Sequence, residues 1–152
     1  MNILLIYQHF LEEDDAGISR FNEMTRIWTE MGHEVTVLAG MFNPIGQKKY
    51  PEYQGHYFKH KQQGKVKVLR CHVSESYNKS FPGRFWGYLS FMFSALWGGL
   101  FKLKGRYDLI LVSSPPLFVG VTAYLLSRFK RIPFVFEIRD LWPESAIDTG
   151  VD

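Results

Sequence analysis

Two runs of sequence decide the fold: Ile3-Leu4-Leu5-Ile6-Tyr7, and Gly32-His33-Glu34-Val35-Thr36-Val37-Leu38-Ala39. The first is short and continuously apolar, the pattern of a strand covered on both faces. Between the two, Ile18, Phe21, Met24, Trp28 and Met31 recur at spacings of three and four, the core stripe of a helix. Gly32 is placed to stop that helix, and Val35 to Ala39 reads as a second strand. Strand, helix and strand in this order, with connections too long for a hairpin, predict a parallel pair with a helical crossover.

Working outward, the alternation continues. Val66 to Cys71 predicts a third strand, Leu109 to Ser113 a fourth and Phe134 to Ile138 a fifth, the last introduced by Pro133. Pro115-Pro116 suits the first turn of a helix running to about Phe129. The stretch from Gly40 to Gly64 is polar, rich in tyrosine and glycine and without periodicity, and reads as a long excursion. Phe85 to Phe101 holds no charge and includes Trp86, Phe91, Phe93, Trp97 and Phe101. The order predicts an α/β fold: a Rossmann-like open parallel sheet with helices on both faces, one domain over residues 1–152.

Composition agrees. With 46% hydrophobic and 22% charged residues in 152, the chain is globular and long enough for one core. A net charge of +3 says little, but the basic residues cluster at Lys102, Lys104 and Arg106, and at Arg128, Lys130 and Arg131. Such clusters either draw phosphates or an anionic membrane, or sit at helix ends where cations favour the dipole. No nucleic-acid partner is expected. The one cysteine, Cys71, excludes an intramolecular disulfide framework, suits a reducing cytoplasm and is expected to be buried and inert. The opening run lacks a basic leader and reads as a strand rather than a signal peptide. The stop at Val151-Asp152 reads as a cut within a longer protein.

In such sheets ligands bind outside the carboxyl ends of the strands. The loop Gln8 to Arg20 holds Gly17, where a missing side chain lets a ligand approach the backbone, with Ser19 and Arg20 as further donors for a phosphate. The same residues also fit a plain helix start. Neither a dinucleotide nor a P-loop glycine pattern is present, and Asp14 and Asp15 oppose a tightly held anion. The second loop is Glu137-Ile138-Arg139-Asp140-Leu141-Trp142-Pro143-Glu144. A carboxylate beside Arg139 there could serve as a base, or Asp140 could cap a helix with Arg139 in a structural ion pair. No histidine or cysteine pair has metal-ligand spacing, and no serine lies in an acyl-transfer motif, so neither a metal nor another cofactor is expected. The apolar segment is at the lower limit of a membrane span; burial on the sheet, or contact with a membrane or partner, are the alternatives. Trp86, Phe93 and Trp97, flanked by Lys102 and Lys104, suit a headgroup boundary.

Three runs carry a resemblance: Lys79-Ser80-Phe81, then Ser113-Ser114-Pro115-Pro116-Leu117-Phe118-Val119-Gly120, and Phe136-Glu137-Ile138-Arg139-Asp140-Leu141-Trp142-Pro143-Glu144-Ser145. They resemble the N-terminal domain of family-4 glycosyltransferases of the GT-B fold, in the branch of bacterial N-acetyl-fucosamine transferases of surface-polysaccharide assembly. The resemblance implies an acceptor-side domain that faces a C-terminal nucleotide-sugar domain absent from this chain. It further implies retaining transfer, without a metal, from a nucleotide-sugar to a glycan acceptor often linked to a lipid diphosphate. Gly17, Ser19, Arg20, Ser114 and Arg139 would then hold substrate, Asp140 and Glu137 would be the catalytic candidates, and Trp86, Phe93, Trp97, Lys102 and Lys104 would meet membrane or acceptor. A cytoplasmic enzyme, peripheral at the inner membrane face, is implied. The stretch Leu11 to Ala16 departs from the family, whose members carry prolines and a second glycine there. Two rivals remain: a non-catalytic docking module, and a nucleotide-dependent epimerase, against which the missing dinucleotide pattern argues.

Overall fold

The computed structural model describes residues 1–8, 10, 20–41, 50, 53–74, 81–103, 106–113 and 119–137, excepting the side chains of residues 81, 84, 136 and 137. Nine elements follow one another: β1 (Asn2–Ile6), α1 (Arg20–Glu30), β2 (Glu34–Gly40), β3 (Phe58–Gln63), β4 (Val66–Cys71), α2 (Phe81–Trp97), β5 (Leu109–Ser113), α3 (Val119–Lys130) and β6 (Phe134–Glu137). The strands form one sheet in the order β3-β4-β2-β1-β5-β6. Every neighbouring pair is parallel except β3 with β4.

Alternation along β1 splits the interior into two cores, as a strand covered on both faces requires. Ile3 and Leu5 pack with Phe21, Val35 and Val37 on the side of α1. Leu4 and Ile6 pack with Leu38, Phe91, Val119 and Leu126 beneath α2 and α3. Each such fully buried side chain contributes about 1.5–3 kcal/mol, so the expected layering, helices on both faces, follows from a five-residue run.

Three expectations are corrected. The excursion from Gly40 to Gly64 contains β3, whose sequence Phe-Lys-His-Lys-Gln-Gln has no apolar alternation. It is a strand because Gly64-Lys65 makes a two-residue hairpin turn between Gln63 and Val66, with Gly64 at φ 60°. A glycine at the first turn position matches the twist of a hairpin. The sheet is therefore parallel except for an antiparallel edge.

In α1 the buried residues are Phe21, Thr25 and Thr29, while Met31 is exposed and Met24 and Trp28 are half-buried. The threonines can face the core because their hydroxyls donate to the helix's own carbonyls, Thr25 to Phe21 at 2.8 Å and Thr29 to Arg26 at 2.8 Å.

The uncharged segment is neither fully buried nor a membrane span. Among the described residues no helix is long and apolar enough to cross a membrane. Its helix begins earlier than expected, at Phe81, and ends in a π turn over Gly98–Lys102, where the Leu103 amide donates to the Gly98 carbonyl at 3.1 Å. The glycines let this turn approach closely. A Cβ on Gly99 would lie 2.7 Å from Leu126 Cδ1, and one on Gly98 3.1 Å from both Leu69 and Phe58. Ser94 donates to the His72 carbonyl at 2.7 Å and Thr122 to the Met92 carbonyl at 2.8 Å, tying α2 to the end of β4 and to α3.

Candidate functional site

The strand registers bring the carboxyl ends of the parallel strands to one edge of the sheet. Ile6 pairs with Leu38 and with Val112, Gly40 with Cys71, and Ser113 with Glu137. Of the residues expected to act here, Gly17, Ser19, Ser114, Arg139 and Asp140 lie outside the described residues, as does Lys104. Glu137 is the last residue of β6, directly across from Ser113 on β5. Arg20 is the first residue of α1, exposed, with its guanidinium 5.0 Å from the centre of the Phe21 ring. The strands that precede Ser114 and Arg139 thus stop beside one another on the edge where β1 also ends.

Under this edge lies a polar arrangement that the sequence reading passed over. Arg70 is fully buried near the end of β4, in phase with Val66 and Val68 and so turned to the α1 side. Its Nη1 donates to the Phe10 carbonyl at 2.6 Å and to the Gly40 carbonyl at 2.9 Å, and its Nη2 donates to Gln63 Oε1 at 3.3 Å. The guanidinium also lies 5.5 Å from the Tyr50 ring centre and 5.9 Å from that of Phe10. One side chain therefore joins the segment leaving β1, the end of β2 and the hairpin of β3. The planar fork of arginine suits this, since it can offer several donors in fixed directions.

Close packing continues above it. A Cβ on Gly40 would meet Gln8 Cγ and the Gln8 carbonyl at 3.0 Å, so only glycine lets the β2 end pass under Gln8. The Gly40 amide donates to the Gln8 carbonyl at 2.9 Å. The Gln8 side-chain oxygen is buried and accepts no hydrogen bond from the described residues. A buried acceptor in that state costs stability and is a feature of functional edges more than of cores. On the other side, Cys71 is buried, as expected, and loss of solvation pushes its thiol pKa up; the thiol is no nucleophile here. The signal for Arg70 was present in Val66-Lys67-Val68-Leu69-Arg70-Cys71: a cation in the phase of the buried valines.

A cleft of about 930 Å³ lies at the opposite end of the sheet, by the first residues of β1 and β2 and the turn into β4. It is not formed by the strand-end loops, and its basic lining suits anions rather than sugar chemistry.

Residues 17–151 match the model of a family described as the glycosyl transferase 4-like domain. No curated protein matches the chain. In shape it is similar to a solved structure described as trehalose-6-phosphate from E. coli bound with UDP-2-fluoro glucose, with a TM-score of 0.57 and 13% identity. The likeness covers 98% of this chain and 37% of that one, so the chain spans little more than a third of the structure it matches. At that identity the likeness speaks for the fold alone, a Rossmann-like sheet of the GT-B type. With the family match running over nearly all of the parallel sheet and through the loops after β5 and β6, the chain belongs to the glycosyl transferase 4-like domain family.

Proposed function

We propose that this chain is the acceptor-side half of a retaining glycosyltransferase. It would move a sugar from a nucleotide-sugar, held mainly by a second domain, to a glycan acceptor carried on a lipid diphosphate in bacterial surface-polysaccharide assembly. The observation that carries the reading is the family match over 17–151, laid on a sheet whose β1, β5 and β6 end on one edge. In this reading Gly17, Ser19, Arg20 and Ser114 face the sugar and phosphates, and the backbone N–H groups near the start of α1 favour their negative charge. Arg139 pairs with substrate or with a neighbouring carboxylate, and Asp140 or Glu137 handles the acceptor proton. General acid–base help of that kind contributes about 10²–10⁴-fold in rate. Arg70 touches no substrate; it positions the segment after β1 by holding the Phe10 carbonyl.

The test uses the polypeptide that joins this chain to its nucleotide-sugar domain, with transfer to a polyprenyl-diphosphate-linked sugar as the readout. Asp140→Asn is expected to lower turnover at least about 100-fold while circular dichroism stays unchanged. Unaltered turnover removes Asp140 from the chemistry, and no transfer by the parent polypeptide to any lipid-linked sugar removes the acceptor assignment.

A further inference from the structure

The exposed face of α2 and its π turn is aromatic. Trp86, Phe93, Trp97 and Phe101 keep 55%, 59%, 54% and 63% of their surface in contact with solvent. Spacings of seven, four and four residues place them on one stripe, and at 1.5 Å per residue the stripe runs about 22 Å. Trp97 and Phe101 lie against each other with ring centres 4.5 Å apart. Beside them Tyr57, Phe58, Phe93, Leu96, Trp97 and Phe101 line an apolar groove of about 540 Å³.

The basic cleft at the foot of the sheet adjoins this stripe. Lys61, Lys65, Lys67, Lys102 and Arg106 line it, against Glu34 as the one carboxylate among its described lining residues. Lys102 belongs to both surfaces: it closes the π turn, lines the cleft, and holds its Nζ 5.6 Å from the centre of the Phe58 ring in the groove.

We propose that stripe and cleft together form one docking face for an anionic phospholipid bilayer. The aromatic rings sit at the boundary of headgroups and acyl chains, and Lys67, Lys102 and Arg106 take the lipid phosphates. Charge complementarity selects this occupant. A soluble phosphate would need the cations but leave 22 Å or so of aromatic ridge in water, whereas a bilayer surface uses both at once. A patch of exposed aromatic side chains on this scale marks an interaction surface. This deepens the lipid-linked acceptor reading, because it brings the chain to the surface where such an acceptor lies. Vesicle binding is scored without sugar transfer, so the two fail separately: binding without transfer to lipid-linked sugars keeps the face, and transfer without binding loses the face alone.

The experiment is co-sedimentation of the chain with vesicles of phosphatidylglycerol and phosphatidylcholine in equal parts, and with phosphatidylcholine alone. Binding to the mixed vesicles only, weakened by added salt, is expected, with tryptophan emission shifting to shorter wavelength. Replacing Lys67, Lys102 and Arg106 together by glutamate is expected to weaken binding about 100-fold or more, at roughly a fivefold loss for each cation removed. Trp97→Ser with Phe93→Ser should weaken it as well. Three results overturn the proposal: no binding by the parent chain, equal binding to both vesicle types, or displacement by inorganic phosphate at an ionic strength where sodium chloride has no effect. Should the triple variant fail to fold, quenching by brominated lipids decides. Quenching that persists unchanged after Trp86→Phe and Trp97→Phe also overturns it.

Discussion

Arg70→Met separates a structural bridge from a bystander. Methionine keeps most of the side-chain volume, so little cavity forms and the loss is polar. It strips the donor from two backbone carbonyls in a buried site, Phe10 at 2.6 Å and Gly40 at 2.9 Å, and from the weaker Gln63 contact at 3.3 Å. A buried acceptor left unsatisfied costs about 1–3 kcal/mol, so the two carbonyls together lose about 2–6 kcal/mol. Removing a buried guanidinium gives part of this back, because its desolvation is itself costly. A net loss of about 3 kcal/mol is expected, a large share of the stability of a domain this size. Urea unfolding followed by circular dichroism measures it. Hydrogen exchange adds a local readout, since the Gly40 amide, bonded to the Gln8 carbonyl, should exchange faster if the β2 end loosens. Arg70→Lys should recover part of the loss, because an ammonium can reach a carbonyl without reproducing the fork. A loss under about 1 kcal/mol, with exchange at Gly40 unchanged, would refute the bridge.

Gly99→Ala should destabilise by about 1–3 kcal/mol, because its Cβ would sit 2.7 Å from Cδ1 of the fully buried Leu126; an unchanged unfolding midpoint would mean α3 is free to move away. Cys71 should resist thiol reagents in the native state and react on unfolding, since burial raises its pKa and blocks access. The sign of the pH effect follows from the same shift. The folded thiol pKa lies above the unfolded one, near 8.5, so this contribution to stability is intact below that pH and is lost as pH rises beyond it. The stability difference between the parent chain and Cys71→Ala should therefore narrow in alkaline solution, and a constant difference would argue against burial of the thiol.

Much of the fold was legible because hydrophobic periodicity is a local property. Leu4-Leu5-Ile6 announces a strand covered on both faces whatever surrounds it, and Phe134 to Glu137 after Pro133 does the same at the other end of the sheet. The family was legible in the runs after β5 and β6, which the match over 17–151 includes. The finer roles of Gly17, Ser114, Arg139 and Asp140 remain assignments from sequence.

The rest was decided by partners distant along the chain. Phe58 to Gln63 is too polar to declare itself a strand, and it becomes one only because β4 offers an edge across a glycine turn. Thr25 and Thr29 look like surface residues, yet a helix can satisfy their hydroxyls internally and so bury them. Arg70 reads as one more strand cation, and its task exists only where Phe10 and Gly40, 60 and 30 positions away, bring their carbonyls to it. The uncharged run from Phe85 to Phe101 was plain in sequence, but which side faced solvent was not. Close approach of Gly98 and Gly99 to the sheet and to α3 turns Phe91 and Ala95 inward and leaves Trp86, Phe93, Trp97 and Phe101 outside. Sequence alone determines which elements form, because that depends on local apolar spacing; tertiary packing determines which polar groups meet and which aromatic face stays open.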